Sequence, residues 1–522
     1  MNGADSLVET FLAGGVNVCF ANPGTSEMHF VAALDRNPEM RCVLGLFEGG
    51  VTGAADAYHR MTGRPAATLL HLAPGFGNGY ASVHNARKAR SAMINVVGEH
   101  ASHHLRYDAP LRGDIESVAR GVSHWWRVSA DARAVATDGA EAIRAARAGN
   151  GRIATLILPA DTAWEAAEAA APMLPPVRLH RPRPDQVRAA AEALREAGAA
   201  LFVNGPVLHG AFARKAGAIA RRTGCRLVTD LFVPRIERGA GAVAIECLRY
   251  PVLENVAILR DVRHMVLLGA GEPVAFFAYP DRPSTPTPAG CRILDLCDPE
   301  MDIGWTLDAL AEETGAAGAE PETLPLDLPP PPAGPLTPTA VGQAMAALMP
   351  EGAILCAEAI TAGQPIADAT RCARRHDWLA NPGGAIGAAL PLAVGAAVAC
   401  PGRKVIAPTG DGSAMYTLQS LWTMARERLD VTVVVLANRG YRILRGELAS
   451  LGVAEVGRNA ARMLDVDDPE LDWVALAAGH GVPGRRVEDA EGFLDAFREA
   501  MATPGPRLIE ARLVEARLTG AA

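Results

Sequence analysis

Apolar positions along the chain gather into short β-branched runs, separated by stretches in which apolar residues recur at helical spacing. In the N-terminal third the runs are VNVCFA, RCVLGLF, ATLLHL, AMINVVG and IATLIL. The middle third has AALFVNG, RLVTDL, HMVLLGA and RILDL. The last third has AILCA, KVIAPTG, VTVVVLAN and a closing RLIEARL. Strand candidates that alternate with helical patterns predict parallel sheets joined by crossover helices. Two proline-rich segments, Ala171–Asp185 and Pro321–Thr339, break this rhythm and read as extended connections. The prediction is an α/β protein of three domains, each a mostly parallel sheet flanked by helices, over residues 1–170, 186–320 and 336–522. The repetition is architectural, without a short sequence repeat.

Length agrees with this division, because 522 residues exceed what one hydrophobic core organises. The chain is 49% hydrophobic and 21% charged, the balance of a folded globular protein. Its formal net charge is −8 and its cationic side chains are dispersed, which argues against a nucleic-acid partner. The run Ala385–Cys400 is shorter than a membrane span and contains Pro391, so a buried helix is expected instead. The start, MNGADSLVETFLAGGV, reads as an amphipathic helix without the basic opening of a signal peptide. None of the nine cysteines forms a C-x-x-C pair or a Cys/His zinc spacing. Cys19, Cys42 and Cys297 lie in apolar runs and read as buried free thiols, so the expected location is the cytoplasm.

The most informative stretch is Lys404–Tyr441. KVIAPTGDGS reads as a strand ending in Gly410, Asp411, Gly412 and Ser413; TLQSLWTMARERL follows as a helix, and VTVVVLAN as the next strand. A right-handed crossover brings both strand ends to one edge of the sheet, where open α/β sheets bind ligands. Asp411 and Asn438 then share that edge, and with the Gly440 carbonyl they form an all-oxygen donor set suited to Mg²⁺. Gly410 and Gly412 let the backbone approach a diphosphate, while Ser413 offers a helix start to an anion. A lone GDG is an ordinary turn. Strand, crossover and Asn438 together make the metal reading the stronger one.

This pattern resembles the thiamine-diphosphate motif of the family containing acetolactate synthase, benzoylformate decarboxylase and pyruvate decarboxylase. The resemblance runs over essentially the whole chain. It implies a pyrimidine-binding domain, a central Rossmann-like domain and a diphosphate-binding domain, with thiamine diphosphate and Mg²⁺ as cofactors and Asp411, Asn438 and Gly440 at the metal. RCVLGLFEGGVTGAADAYHRMTG resembles the pyrimidine segment, so Glu48 matches the carboxyl group that activates the aminopyrimidine. On its own, Glu48 reads equally well as a first-turn helix residue. NPGGAIGAALPLAVG resembles the segment beneath the cofactor, which assigns Gly383, Gly384 and Ile386 to it.

The substrate end is drawn from ANPGTSEMHF and ATLLHLAPGFGNG. By resemblance Thr25 faces substrate, with Ser26 beside it, although either hydroxyl also suits a turn or helix cap. His71 matches an active-site histidine able to shuttle protons, and Asn78 is a further polar candidate. His104, from a loop that also holds His100 and His103, is the remaining catalytic candidate. Phe276 and Phe277 replace the second histidine of benzoylformate decarboxylase and read as pocket wall or core. No flavin-associated Arg-Phe-Asp-Asp-Arg stretch and no G-x-G-x-x-G occur in the middle third, so FAD is not expected. The resemblance implies a small-molecule 2-keto acid substrate, decarboxylated and then ligated or protonated at the enamine. It also implies a homodimer or homotetramer with interfacial sites. The alternatives are a benzoylformate-type decarboxylase and a cofactor-binding homologue without turnover.

Overall fold

A computed structural model describes residues 1–453 and 455–514. The apolar runs become the strands of three sheets. The first holds β1 (Val18–Asn22), β2 (Arg41–Leu44), β3 (Ala66–Leu70), β4 (Met93–Glu99), β5 (Trp125–Val128) and β6 (Ile153–Pro159). The second holds β7 (Ala199–Val203), β8 (Arg226–Thr229), β10 (Glu246–Cys247), β11 (His264–Leu268) and β12 (Arg292–Cys297). The third holds β13 (Ala353–Cys356), β14 (His376–Leu379), β15 (Val405–Gly410), β16 (Val431–Ala437), β17 (Gly484–Val487) and β18 (Arg507–Arg512). Its edge is extended by β9 (Ile236–Arg238), which crosses over from the middle of the chain to pair antiparallel with β14.

Strand order matters more here than strand count. The first sheet runs β2-β1-β3-β4-β6-β5, and β14-β13-β15-β16-β18-β17 repeats that order in the third. The middle sheet runs β10-β8-β7-β11-β12, the sequence of a Rossmann half extended by two strands. In both outer sheets the order reverses beside the first strand, between β1 and β3 and between β13 and β15. Loops leaving such a pair diverge and open a crevice at the carboxyl edge.

Five strands were not apparent as apolar runs. β5 (WWRV), β10 (EC) and β17 (GRRV) are sheet edges, where one flank meets solvent and charged side chains are tolerated. β9 is a short edge strand formed far from its partner in sequence. β14 (HDWL) is buried despite His376 and Asp377. Burial pushes the Asp377 carboxyl up, but ion pairs to Arg235 at 2.7 Å and Arg403 at 2.6 Å more than offset it and leave it below its ordinary range. Burial lowers His376 to about 4, so it packs as a neutral ring.

The other expectations divide. The N-terminal helix forms over Gly3–Ala13, with Asn2 and Asp5 completing a capping box. Ala389–Ala399 is a buried helix, and no helix among the described residues is long and apolar enough to cross a membrane. Both proline-rich segments end earlier than expected, because Pro184 and Pro338 each open a helix. Cys19 and Cys297 are buried, but Cys42 is exposed because β2 is an edge strand. Phe276 and Phe277 are exposed rather than core residues.

The Ala389–Ala399 helix packs against the Glu48–Thr62 helix at backbone distance. A Cβ on Gly395 would sit 1.9 Å from the Ala54 carbonyl oxygen, and one on Gly53 would sit 2.6 Å from Pro391 Cβ. Beside them the buried Arg60 guanidinium binds Asp56 at 2.5 Å, the Ala380 carbonyl at 2.6 Å and the Pro234 carbonyl at 3.1 Å, joining all three parts of the chain. Gly395→Ala should therefore cost about 3 kcal/mol or more through overpacking. Gly479→Ala, where nothing lies within 4 Å, should change stability by no more than about 1 kcal/mol. Thermal unfolding of both variants checks the contrast.

Candidate active site

The first crevice lies at the switch point between β1 and β3. β2 leads through Gly45–Phe47 into the helix that Glu48 opens, leaving this carboxyl only 6% exposed. Asn78, on the Leu72–Lys88 helix, donates its Nδ2–H to Glu48 Oε2 at 3.0 Å. Gly75 lies behind them, and a Cβ there would stand 2.9 Å from Glu48 Oε1 and 3.2 Å from His71 Cβ. Glu48, Asn78 and His71 thus surround the first turns of one helix. His71 leaves β3 as the residue before that helix, with Nδ1 2.8 Å from Glu27 Oε2. Ser26 Oγ is 3.3 Å from the same nitrogen and donates to Glu27 Oε1 at 2.5 Å.

The second crevice lies between β13 and β15. β15 ends at Gly410 and a short helix begins at Asp411, two residues before the expected start at Ser413. Asp411 is 3% exposed, and its oxygens accept the N–H groups of Gly412 at 2.9 Å and Arg439 at 2.6 Å. Burial pushes its carboxyl up, and these backbone donors only partly offset that. Asn438 follows β16, the strand paired with β15, and its Oδ1 accepts the Gly440 N–H at 3.1 Å. Arg439 between them has a φ of 60°, rare for a residue with a side chain. Among the described residues no three His, Cys, Asp or Glu side chains gather as a metal centre. The donor set here is a carboxylate, an amide oxygen and a backbone carbonyl, and the buried Asp411 is left needing positive charge. That chemistry fits a hard divalent cation.

The loop Asn381–Gly387 carries the third group. Asn85 grips it by both backbone groups of Ala385, donating to the carbonyl at 2.8 Å and accepting the N–H at 3.1 Å. Gly383 must lack a Cβ, because one would fall 2.3 Å from Asn85 Oδ1. Gly384, at φ 75°, has Phe276 against it, so Phe276 reaches from the middle sheet to this loop. Ile386 is half-buried in the same loop. Phe276 also lines a cavity of about 440 Å³ with Tyr250, Tyr279, Thr361, Asn438 and Arg442. Glu447 forms part of its wall and accepts the Tyr250 hydroxyl at 3.3 Å.

The sequence-derived candidates therefore fall into two built crevices and a loop. Glu48, His71 and Asn78 share the first crevice; Gly410, Asp411, Gly412, Ser413, Asn438 and Gly440 share the second; Gly383, Gly384 and Ile386 form the loop. Thr25 is exposed, and Ser26 rather than Thr25 stands at His71. His104 sits in an exposed turn, its ring contacts being with His100 at 5.6 Å and Tyr107 at 5.4 Å.

Sequence reasoning missed Glu27, Asn85 and Glu358. Glu358 follows β13, where an acidic residue directly after an apolar run was the available signal. It is 4% exposed and accepts the N–H groups of Ala388 at 2.9 Å and Ala389 at 3.1 Å, at the start of the Ala389–Ala399 helix. Its own N–H and carbonyl bond Pro408 and Gly410 on β15. Glu358 thereby ties the segment after the Asn381–Gly387 loop to the strand that presents Asp411. Burial raises it to about 7 even though several backbone N–H groups favour the charged form.

Comparison with known proteins identifies a family at both ends of the chain. Residues 1–121 match the family described as thiamine pyrophosphate enzyme, N-terminal TPP binding domain. Residues 362–511 match the corresponding C-terminal TPP binding domain. A Mycobacterium tuberculosis (strain ATCC 25618 / H37Rv) protein whose name, acetolactate synthase large subunit IlvX, is provisional is 48% identical over 98% of both chains. A benzoylformate decarboxylase of Pseudomonas aeruginosa is 30% identical over 95% of this chain and 96% of its own. Among solved structures, a thiamine diphosphate-dependent 4-hydroxybenzoylformate decarboxylase of Rhodococcus jostii RHA1 superposes with a TM-score of 0.85 at 25% identity. It covers 98% of this chain and 99% of its own.

The raised Glu358 gives a pH test. A carboxyl titrating near 7 when folded, against an ordinary 4.5, binds more protons in the folded state. Its contribution is full below the ordinary value and is lost as pH rises towards 7, on the order of 3 kcal/mol in all. Glu358→Gln removes that loss. The melting temperature of the variant minus that of the wild type should therefore rise by several degrees between pH 5 and pH 8. A flat difference would show that Glu358 titrates normally.

Proposed function

The chain belongs to the thiamine pyrophosphate enzymes, and on that premise we propose that it binds thiamine diphosphate with Mg²⁺ and decarboxylates a 2-keto acid. The retained fragment is then joined to a second carbonyl compound, as in an acetolactate synthase. When bound, thiamine diphosphate supplies a carbon nucleophile and an electron sink, the chemistry a 2-keto acid needs in order to lose CO₂. The observation that carries the reading is the pair of equivalent switch-point crevices, one holding Glu48 and the other Asp411 beside Asn438.

Each residue then has a task. Asp411, Asn438 and the Gly440 carbonyl hold the metal, and the N–H groups around Gly412 and Ser413 face the diphosphate. Glu48 holds a proton against the aminopyrimidine, with Asn78 fixing the carboxyl's orientation through its 3.0 Å hydrogen bond. Gly383 and Gly384, whose bare Cα atoms accommodate Asn85 and Phe276, set the course of the loop beside the cofactor, and Ile386 would orient its rings. His71 moves protons at the substrate. Glu48 follows a strand of the first sheet and the metal residues follow strands of the third, and they serve different cofactors in an assembly of two or four copies.

A second outcome, release of the fragment as an aldehyde, is favoured by a particular observation. The cavity beside Asn438 is walled by Tyr250, Phe276 and Tyr279, which suits an aryl 2-keto acid of the kind named for the benzoylformate decarboxylase relatives. Product analysis with thiamine diphosphate and Mg²⁺ separates the two. Acetolactate from pyruvate marks a synthase, whereas aldehyde and CO₂ from pyruvate or benzoylformate mark a decarboxylase. Glu48→Gln should lower turnover about 100-fold or more while cofactor binding is largely kept. Undiminished turnover in that variant would contradict the assignment of Glu48.

A further inference from the structure

Glu27 is a buried carboxyl at the first crevice. The loop after β1 passes through Pro23 and Gly24 into a tight turn, Thr25–Glu27, which swings the Glu27 carboxyl back under the end of β3. The residue is 3% exposed, and Gly98 of β4 closes the space behind it; a Cβ there would lie 1.7 Å from Glu27 Oε1. Three groups converge on this carboxyl. The Gly24 N–H donates to Oε2 at 2.7 Å, the Ser26 hydroxyl donates to Oε1 at 2.5 Å, and His71 Nδ1 lies 2.8 Å from Oε2.

The imidazole is held as closely as the carboxyl. A Cβ on Gly24 would stand 2.2 Å from Nδ1 and 2.4 Å from Cγ, so the ring lies directly on the glycine backbone. The next residue, Leu72, takes a φ of 49°, a strained conformation for leucine that persists only where the surroundings dictate it. Two bare Cα positions and one strained residue thus keep Glu27 and His71 in register. The His71 side chain remains 21% exposed, so part of the ring faces out of the crevice.

Both fixed donors already point at the carboxyl, and a carboxylate accepts three hydrogen bonds without donating any. The proton in the 2.8 Å contact then belongs to His71 Nδ1. We propose that Glu27 is a positioning residue that fixes His71 as its Nδ1–H tautomer, leaving Nε2 as the ring nitrogen offered to substrate. This rests on the reading that His71 moves protons at the substrate. Nε2 takes up one proton and later returns it, while Glu27 orients the ring and stabilises the cation. Ser26 completes the arrangement by holding the second carboxylate oxygen.

The test is nitrogen NMR of the full-length protein labelled at histidine, with the His71 resonances assigned by their loss in His71→Gln. In the wild type, free of cofactor and substrate at pH 8, the Nδ1–H form should dominate. Glu27→Leu removes the acceptor that faces Nδ1 and should move the population towards Nε2–H; a glutamine would still turn its amide oxygen to the Gly24 N–H and Nδ1. Glu27→Leu should lower kcat about 100-fold or more with KM little changed, and leave thiamine diphosphate affinity within about two-fold. An Nε2–H tautomer in the wild type would overturn the proposal, even if Glu27→Leu failed to fold. A variant with wild-type tautomer and wild-type kcat would overturn it equally. If Glu48→Gln lost activity in that same case, the assignment of the enzyme would stand while the role of Glu27 fell.

Discussion

The contact between the Glu48–Thr62 and Ala389–Ala399 helices sets the scale for the site. Their backbones touch because Gly53 and Gly395 carry no side chain at the crossing. Glu48 opens one helix, and the loop bearing Gly383, Gly384 and Ile386 runs directly into the other. A side chain inserted at the crossing would therefore displace both the carboxyl and the loop, which the proposed assembly gives to two different cofactor sites. Arg60, bonded to Asp56, Ala380 and Pro234, holds the same junction from its flank. Packing here constrains chemistry directly, since close-packed interiors pass small displacements on rather than absorbing them.

Buried carboxyl groups divide the molecule into scaffold and site. Asp56, Asp138, Asp377 and Glu510 are buried and each pairs with arginine, the usual way of keeping such a charge inside a protein. Glu27, Glu48, Glu358 and Asp411 are buried just as deeply. Their hydrogen bonds come instead from backbone N–H groups, a histidine, a serine and an asparagine. All four lie just beyond the carboxyl ends of parallel strands. Carboxyls desolvated without a cationic partner are costly for folding and useful for holding a metal or a proton. Glu99, whose carboxyl takes the His100 N–H at 2.7 Å, is likewise buried without an ion pair to arginine, so the distinction narrows the candidates rather than defining the site.

The sequence made visible whatever depends on near neighbours in the chain. Buried strands showed as apolar runs, and the place of Glu48 came from the resemblance of RCVLGLFEGGVTGAADAYHRMTG to the pyrimidine segment. Asp411 and Asn438 could be placed together because a crossover fixes where consecutive parallel strands end. Glu27 escaped notice because its partner, His71, lies 44 positions away and meets it only once β1 and β3 are paired. Glu358 escaped for a similar reason, since its partners lie on the helix after β14 and on β15. Thr25 and Ser26 are adjacent in sequence, and only the tight turn decides which of them meets the histidine. β14 was hidden because Asp377 is neutralised by arginines from remote segments and His376 is buried as a neutral ring.

The most direct test of the central claim is calorimetric titration of the cofactor-free protein with thiamine diphosphate, once with Mg²⁺ present and once with divalent ions chelated. Saturable binding that depends on the metal, and that is lost in Asp411→Ala, is the expected result. No binding under either condition, or equal affinity after chelation, would contradict a Mg²⁺-anchored diphosphate at Asp411 and Asn438.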